Sequence, residues 1–389
     1  MRTSRLTDER GMALAVAIFA LVVIGALVAG AFFAGTLEQR TGRNTLYAAQ
    51  AADAAEIGVS KVVSDWDQFN LNNTAIGATT ALGTTTVGST TYDQNVTRLN
   101  NDLFLVKSLG KRLDASGNTL AQRSVAMVTR LSYVSATANA AVTAGKSVNF
   151  NGTAFEVIGN DSVPQGWAGE TGCSTGANKA GVRTAETVDA SSQQDANIIG
   201  VPAQVEHDPT VTADFFNIFG DVTFDELKKS ADIVLPNTTP YNGAAPSLTA
   251  GAPQRCNTAD QMNWGEPHRN GAGFTAQCVN YFPIIYGSGS QTQLAAGGRG
   301  QGLLLVEGDL SISGGFEWTG LIVAKGGIKI VGNGNKITGA LLAQDVSIDD
   351  QNSISGNTTL QFSSCALSKA IQGSAFAEPL TMRSWVQVY

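Results

Sequence analysis

Residues 12–34, MALAVAIFALVVIGALVAGAFFA, run for 23 positions without a charged or polar side chain. Wound as an α-helix they span roughly 34 Å at about 1.5 Å per residue, enough to cross a bilayer. Arg2, Arg5 and Arg10 precede them in MRTSRLTDERG. Positive charge ahead of a span holds that end in the cytoplasm while the remainder is translocated. A secretory signal would be shorter and would end at a small-residue cleavage site. Here the pattern continues as helix. Ala48, Ala51, Ala52, Ala55, Val59, Val62, Val63 and Trp66 recur at spacings of three and four and share one face, while Asp53, Glu56, Lys61 and Asp65 fall on the others. The expectation is one helix of about 50 residues, half in lipid and half on a globular unit. A plain signal anchor with a linker helix is the alternative.

Working outward, charged residues make up 15% of the 389-residue chain, well below the roughly 25% usual for soluble domains. The 43 glycines and a net charge of -7 describe an exported, turn-rich β protein. The acidic balance, with basic residues scattered, argues against a nucleic-acid partner, which needs a clustered basic surface. Cys173, Cys256, Cys278 and Cys365 are even in number and all lie beyond the apolar segment. In an exported chain they suggest two disulfides, with three connectivities open. Cys256 with Cys278, near neighbours in one segment, leaves Cys173 with Cys365 by elimination. No pair has CxxC spacing and only His207 and His268 could assist, so neither metal nor cofactor is expected.

Beyond the helix, residues 72–92 are rich in Thr, Ala and Gly and read as a surface hairpin or loose loop. Strand-like runs follow at 103–108 and 123–131, separated by turn residues from Asp114 to Asn118. Further on, Gly302, Gly320 and Gly339 each open a similar stretch: GLLLVEGDLSISG, GLIVAKGGIKIVG and GALLAQDVSIDDQ. Leu304, Ile322 and Leu341 align, as do Leu310, Ile328 and Val346, and Ile312, Ile330 and Ile348. Self-similarity at about 20 residues, with strands and turn glycines, reads as a parallel β-helix with one coil per repeat. A β-sandwich with coincidental spacing is the alternative. Residues 144–161 share the rhythm and read as an earlier coil, whereas 162–300, with three of the cysteines, reads as an insertion capping the solenoid.

The leader ending in Glu9-Arg10-Gly11, then Met12-Ala13-Leu14 and the apolar helix, resembles the class III signal of type IV pilins. The stretch from Arg10 to Ala55 is most similar to the N-terminal domain of the PilX type of pilus assembly proteins. The block Gln50-Ala51-Ala52-Asp53-Ala54-Ala55-Glu56 matches that family's Ala-rich, Glu-containing stretch. The resemblance covers the first 50 or so residues strongly and the next hairpin loosely. It implies cleavage after Gly11 by a prepilin peptidase, methylation of Met12, location in the inner membrane, and contact with other pilin or minor pilin subunits through the N-terminal helix. Major pilins carry Glu at the fifth mature position, and Val16 stands there in this chain. A Glu in lipid needs a partner, and its replacement by Val suggests a minor or accessory subunit.

The expected fold is α+β, mostly β: a long N-terminal transmembrane helix with a pilin-like β-hairpin, then a β-rich domain containing parallel β-helix-like coils. The boundaries are a leader at 1–11, the transmembrane helix at 12–34, its exported continuation at 35–67, a pilin-like β region at 68–135, a first coil at 136–161, a disulfide-bearing insertion at 162–300, and coils with a C-terminal strand at 301–389.

Catalytic signals are thin. Gly297–Gly300 lacks the Gly-Lys-Ser/Thr of a phosphate loop, and Gly332-Asn333-Gly334 reads as a turn between strands. His207-Asp208 is followed by Pro209, with no GxSxG elbow to complete a triad. His268 reads as a loop surface residue, and Asp345, Asp349 and Asp350 as a solvated turn rather than a Ca²⁺ site. The leading expectation is a structural role, as a minor pilin or assembly component of a pilus or secretion pseudopilus, and not an enzyme. The alternative is a tethered adhesin that binds a surface or polysaccharide. A carbohydrate-active enzyme comes third.

Overall fold

The computed structural model describes residues 12–132, 138–170, 172–220, 222–236, 240–295, 297–332, 334–349, 358–373, 375–380 and 385–388. Gly11, Asn333 and Asp350, on which expectations fell, lie outside them.

The helix α1 (Met12–Ser64) is continuous over 53 residues. Every side chain from 14 to 46 is exposed, and burial begins at Tyr47. Ala51, Ala55, Val59, Val62 and Trp66 are buried while Asp53, Glu56, Lys61 and Asp65 face solvent, so the apolar spacing of the sequence is the packing face. After a single turn, α2 (Gln68–Leu71), come four antiparallel strands: β1 (Thr79–Val87), β2 (Thr90–Arg98), β3 (Leu103–Leu113) and β4 (Thr119–Ser132). The region 72–92 is thus mostly hairpin. Gly110 brings β3 close against the helix: a Cβ there would lie 2.1 Å from the carbonyl oxygen of Ala51. Phe104, Val106, Val125 and Met127 complete this small core.

The chain then enters the solenoid through β5 (Ala140–Ala144), β6 (Val148–Asn151) and β7 (Phe155–Ile158), followed by β8 (Ala180–Thr184), β9 (Val188–Asp189), the one-turn α3 (Ser192–Asp195), β10 (Ile198–Ile199) and β11 (Val205–His207). The next segment holds a two-residue hairpin, β12 (Ile218–Phe219) with β13 (Val222–Thr223), and the short helix α4 (Phe224–Lys229). Thr223 and Glu226 form a capping box at its start.

The solenoid resumes with β14 (Ile233–Leu235), β15 (Tyr241–Asn242), β16 (Ile284–Gly287), β17 (Gln291–Ala295), β18 (Arg299–Val306), β19 (Asp309–Ser313), β20 (Glu317–Val331), β21 (Lys336–Asp349) and β22 (Thr358–Phe362). Helix α5 (Ser364–Gly373) leaves it, and β23 (Phe376–Pro379) and β24 (Trp385–Val388) pair antiparallel with β4.

All ladders within the solenoid are parallel, and their order is not the order of the chain. One face runs β14-β16-β18-β20-β21-β5-β8-β11. The coil at 140–158 therefore stacks between the last repeat and the coil at 180–199. This corrects the reading of 136–161 as a first coil followed by an insertion that caps the solenoid. Residues 162–300 contribute rungs at both ends of the stack, and the strands at 376–388 belong to the helix-bearing sheet rather than to the solenoid.

The returning segment explains how the two ends are joined. Tyr286, Leu305, Val323, Leu342, Thr143 and Arg183 stand in register on the outside of one face. Phe224 meets Tyr286 at one end of this row, with ring centroids 6.3 Å apart, and Arg183 lies 5.8 Å over the Phe215 ring at the other. The same segment buries Phe216, Phe219, Val222 and Leu227 in the solenoid core cluster. The segment from Asp208 to Asp232 thus crosses the stack and covers apolar side chains that a bare solenoid would expose to water.

Candidate functional site

The aligned repeat residues form continuous interior ladders. Leu304 pairs with Ile322, Ile322 with Leu341, and Leu341 with Val142, and all four are fully buried. Leu310, Ile328 and Val346 form a second ladder that continues to Val148. Gly302, Gly320 and Gly339 stack at one corner with φ of 113°, 137° and 140°. A Cβ on Gly320 would stand 2.2 Å from the Gly302 carbonyl oxygen, so only glycine fits this close approach of successive coils.

Cys256 is bonded to Cys278 and Cys173 to Cys365. The first closes a loop lying against the solenoid. The second ties the segment after β7 to the start of α5, where the Asp161 carboxylate accepts the backbone N–H and the hydroxyl of Ser364 at 2.8 and 2.5 Å.

Met12 is the first residue of α1, and Gly11 is not described. Of the remaining candidates, His207 is exposed, with Nδ1 3.1 Å from the Glu186 carbonyl oxygen. Asp208 accepts from Thr210 at 2.7 and 2.8 Å and from Arg183. Those bonds, Thr210 first and Arg183 second, hold its carboxyl well below the usual range. They fix the start of the crossing segment. Asp345 sits 3.4 Å from the backbone N and hydroxyl of Ser147. No cluster of three metal-ligating side chains occurs among the described residues.

His268 is not a plain surface residue. Its Nε2 lies 2.7 Å from Glu317 Oε2. Its loop is fastened by Glu266, fully buried, which accepts the backbone N–H groups of His268 and Thr275 at 3.1 and 2.9 Å and an Arg299 N–H at 3.1 Å. Gln301 on the same rung donates to the carbonyls of Val279 and Tyr281, both at 2.9 Å. Arg269, bonded to Glu170 at 2.5 Å, lies 3.9 Å over the Trp167 ring.

Between this loop and the solenoid wall is a cleft of about 300 Å³, lined by His268, Arg269, Asn270, Glu317, Thr319, Lys336 and Thr338 among others. Among the described residues of its lining, Glu317 is the one carboxylate. The sequence reading missed this cleft because its wall residues precede Gly320 and Gly339, outside the aligned window. The 19-residue offset between Glu317 and Lys336, and between Thr319 and Thr338, was the available signal. A larger opening, about 1130 Å³, separates the helix-bearing sheet from α5 and has a mixed lining, with Asn72, Asn101 and Gln372 beside Leu131, Phe282 and Phe362, and with Arg98, Lys179 and Lys369.

These features define a class: a long helix, apolar and long enough to cross a membrane, seated on an antiparallel sheet that carries an inserted parallel β-solenoid. No family model matches the chain, and no curated protein matches it. Among solved structures, the competence-associated pilin ComZ from Thermus thermophilus is similar at a TM-score of 0.28 and 14% identity, over 88% of this chain and 98% of that chain. At that similarity the reading of this chain rests on its own geometry.

Proposed function

We propose that this chain is a membrane-anchored, non-enzymatic minor pilin or pilus-assembly component, acting in a type IV pilus or a related pseudopilus. One observation carries the reading. A single unbroken helix is bare and apolar over its first half and buried on a six-stranded antiparallel sheet over its second. The bare half is one that lipid stabilises before assembly and neighbouring helices of like subunits cover afterwards. Val16 within it removes the carboxylate that a major subunit carries, which supports an accessory place. The leader places the N-terminus in the cytoplasm and the solenoid outside the inner membrane, with a prepilin peptidase cutting after Gly11 and Met12 becoming the methylated first residue. Intact-mass analysis of the protein from its native host tests this. The expected species begins at methylated Met12. A chain retaining Met1, or cut beyond the apolar run, overturns the proposal.

A further inference from the structure

We propose that the cleft between the His268 loop and the solenoid wall binds an acidic saccharide, with sugar hydroxyls on Thr319 and Thr338 and a carboxylate on Lys336. The two threonines stand in register on adjacent rungs at the cleft wall. They are 7% and 6% exposed, and neither hydroxyl has a hydrogen-bond partner among the described residues. A hydroxyl both donates and accepts, and one held deep in a cleft without a protein partner gains when a ligand supplies the bond. Two such groups about 4.8 Å apart match a pyranose ring, which carries hydroxyls that donate and accept around its edge.

The charges select an acidic sugar over a neutral one. Glu317 is engaged by His268, whereas Lys336, exposed at the same cleft, forms no ion pair among the described residues. Its ammonium is therefore open to an anionic group. The walls are fixed before binding: Glu266 and the Cys256–Cys278 bridge hold the loop, and Glu170 with Trp167 holds Arg269. Such preorganisation reduces the ordering cost of association.

The inference stands apart from the pilus reading and is tested on the full chain in detergent micelles by calorimetric titration. The probes are a linear tetramer of galacturonate and its neutral galactose counterpart. Saturable binding of the uronate at one site is expected, with the neutral tetramer about ten-fold weaker or more. Lys336→Met should bring the two to equal affinity. The double variant Thr319→Val and Thr338→Val keeps side-chain shape, so it should weaken the uronate about ten-fold with its unfolding midpoint unchanged. No saturable uronate binding by the unaltered chain, or undiminished binding by the double valine variant, overturns the proposal.

Discussion

The side-chain amide of Asn72 donates to the carbonyl oxygen of Ala375, 303 positions later, at 2.7 Å. The same side chain accepts the indole N–H of Trp66 at 2.9 Å. It therefore joins the end of α1 to the point where the chain returns from the solenoid. Asn72→Ala leaves the partly buried indole and a strand-entry carbonyl without their partner, a loss of about 1–3 kcal/mol. Thermal unfolding of the full chain measures it, and a midpoint equal to that of the unaltered protein would remove this role from Asn72.

Gly320 is confined both by its φ of 137° and by the Gly302 carbonyl. Gly320→Ala should cost more than about 3 kcal/mol, because conformational strain and a backbone clash add. Gly30→Ala, in the exposed half of α1 with nothing within 4 Å of its Cβ, should leave the unfolding midpoint where it is or raise it slightly.

Ile322 lies in the middle of an interior ladder and Lys329 on the outside of the same coil, fully buried and exposed respectively. An aspartate at 322 is an unpaired charge with no route to water and should cost several kcal/mol. Ser311→Asp and Lys329→Asp should be tolerated within about 0.5 kcal/mol. Equal tolerance at 322 and 329 would contradict the stacking.

Arg183, on β8, and Asp208 tie the solenoid to the crossing segment. The folded carboxyl is held below its ordinary value of 3.8, so the folded state gains from its ionised form. That contribution is complete above about pH 4 and falls away as pH drops from there toward the lower folded value. In Asp208→Asn this part of the acid dependence should vanish, leaving a shallower loss of stability below pH 4 in acid titrations followed by circular dichroism.

The two disulfides differ in reach. Cys173 and Cys365 are 192 positions apart, and Cys256 and Cys278 are 22 apart. On the chain-entropy relation, opening the long loop costs about 5 kcal/mol and opening the short one about 3 kcal/mol. Paired Cys→Ala variants, compared by denaturant unfolding, should rank in that order. Peptide mapping without reductant that finds Cys256 joined to Cys365 would discard both values.

The sequence by itself determined the elements whose signals are local. A run from Met12 to Ala34 without a polar side chain reads as a helix that avoids water, and the apolar residues spaced three and four apart between Ala48 and Trp66 mark the face it buries. The offsets between Gly302, Gly320 and Gly339 encode parallel coils, because a repeat of about 20 residues with apolar alternation buries its inner face only by stacking. Tertiary structure alone decided the rest, since it depends on contacts between distant residues. The short rungs between 180 and 242 have no period of their own, and they are strands because the regular coils supply partners for their backbone groups. Nothing near Val142 announces that it will meet Leu341, and nothing near Phe376 that it will pair with Ser132. Thr319 and Thr338 likewise read as ordinary strand residues, and only the loop folded over them makes their hydroxyls the wall of a cleft.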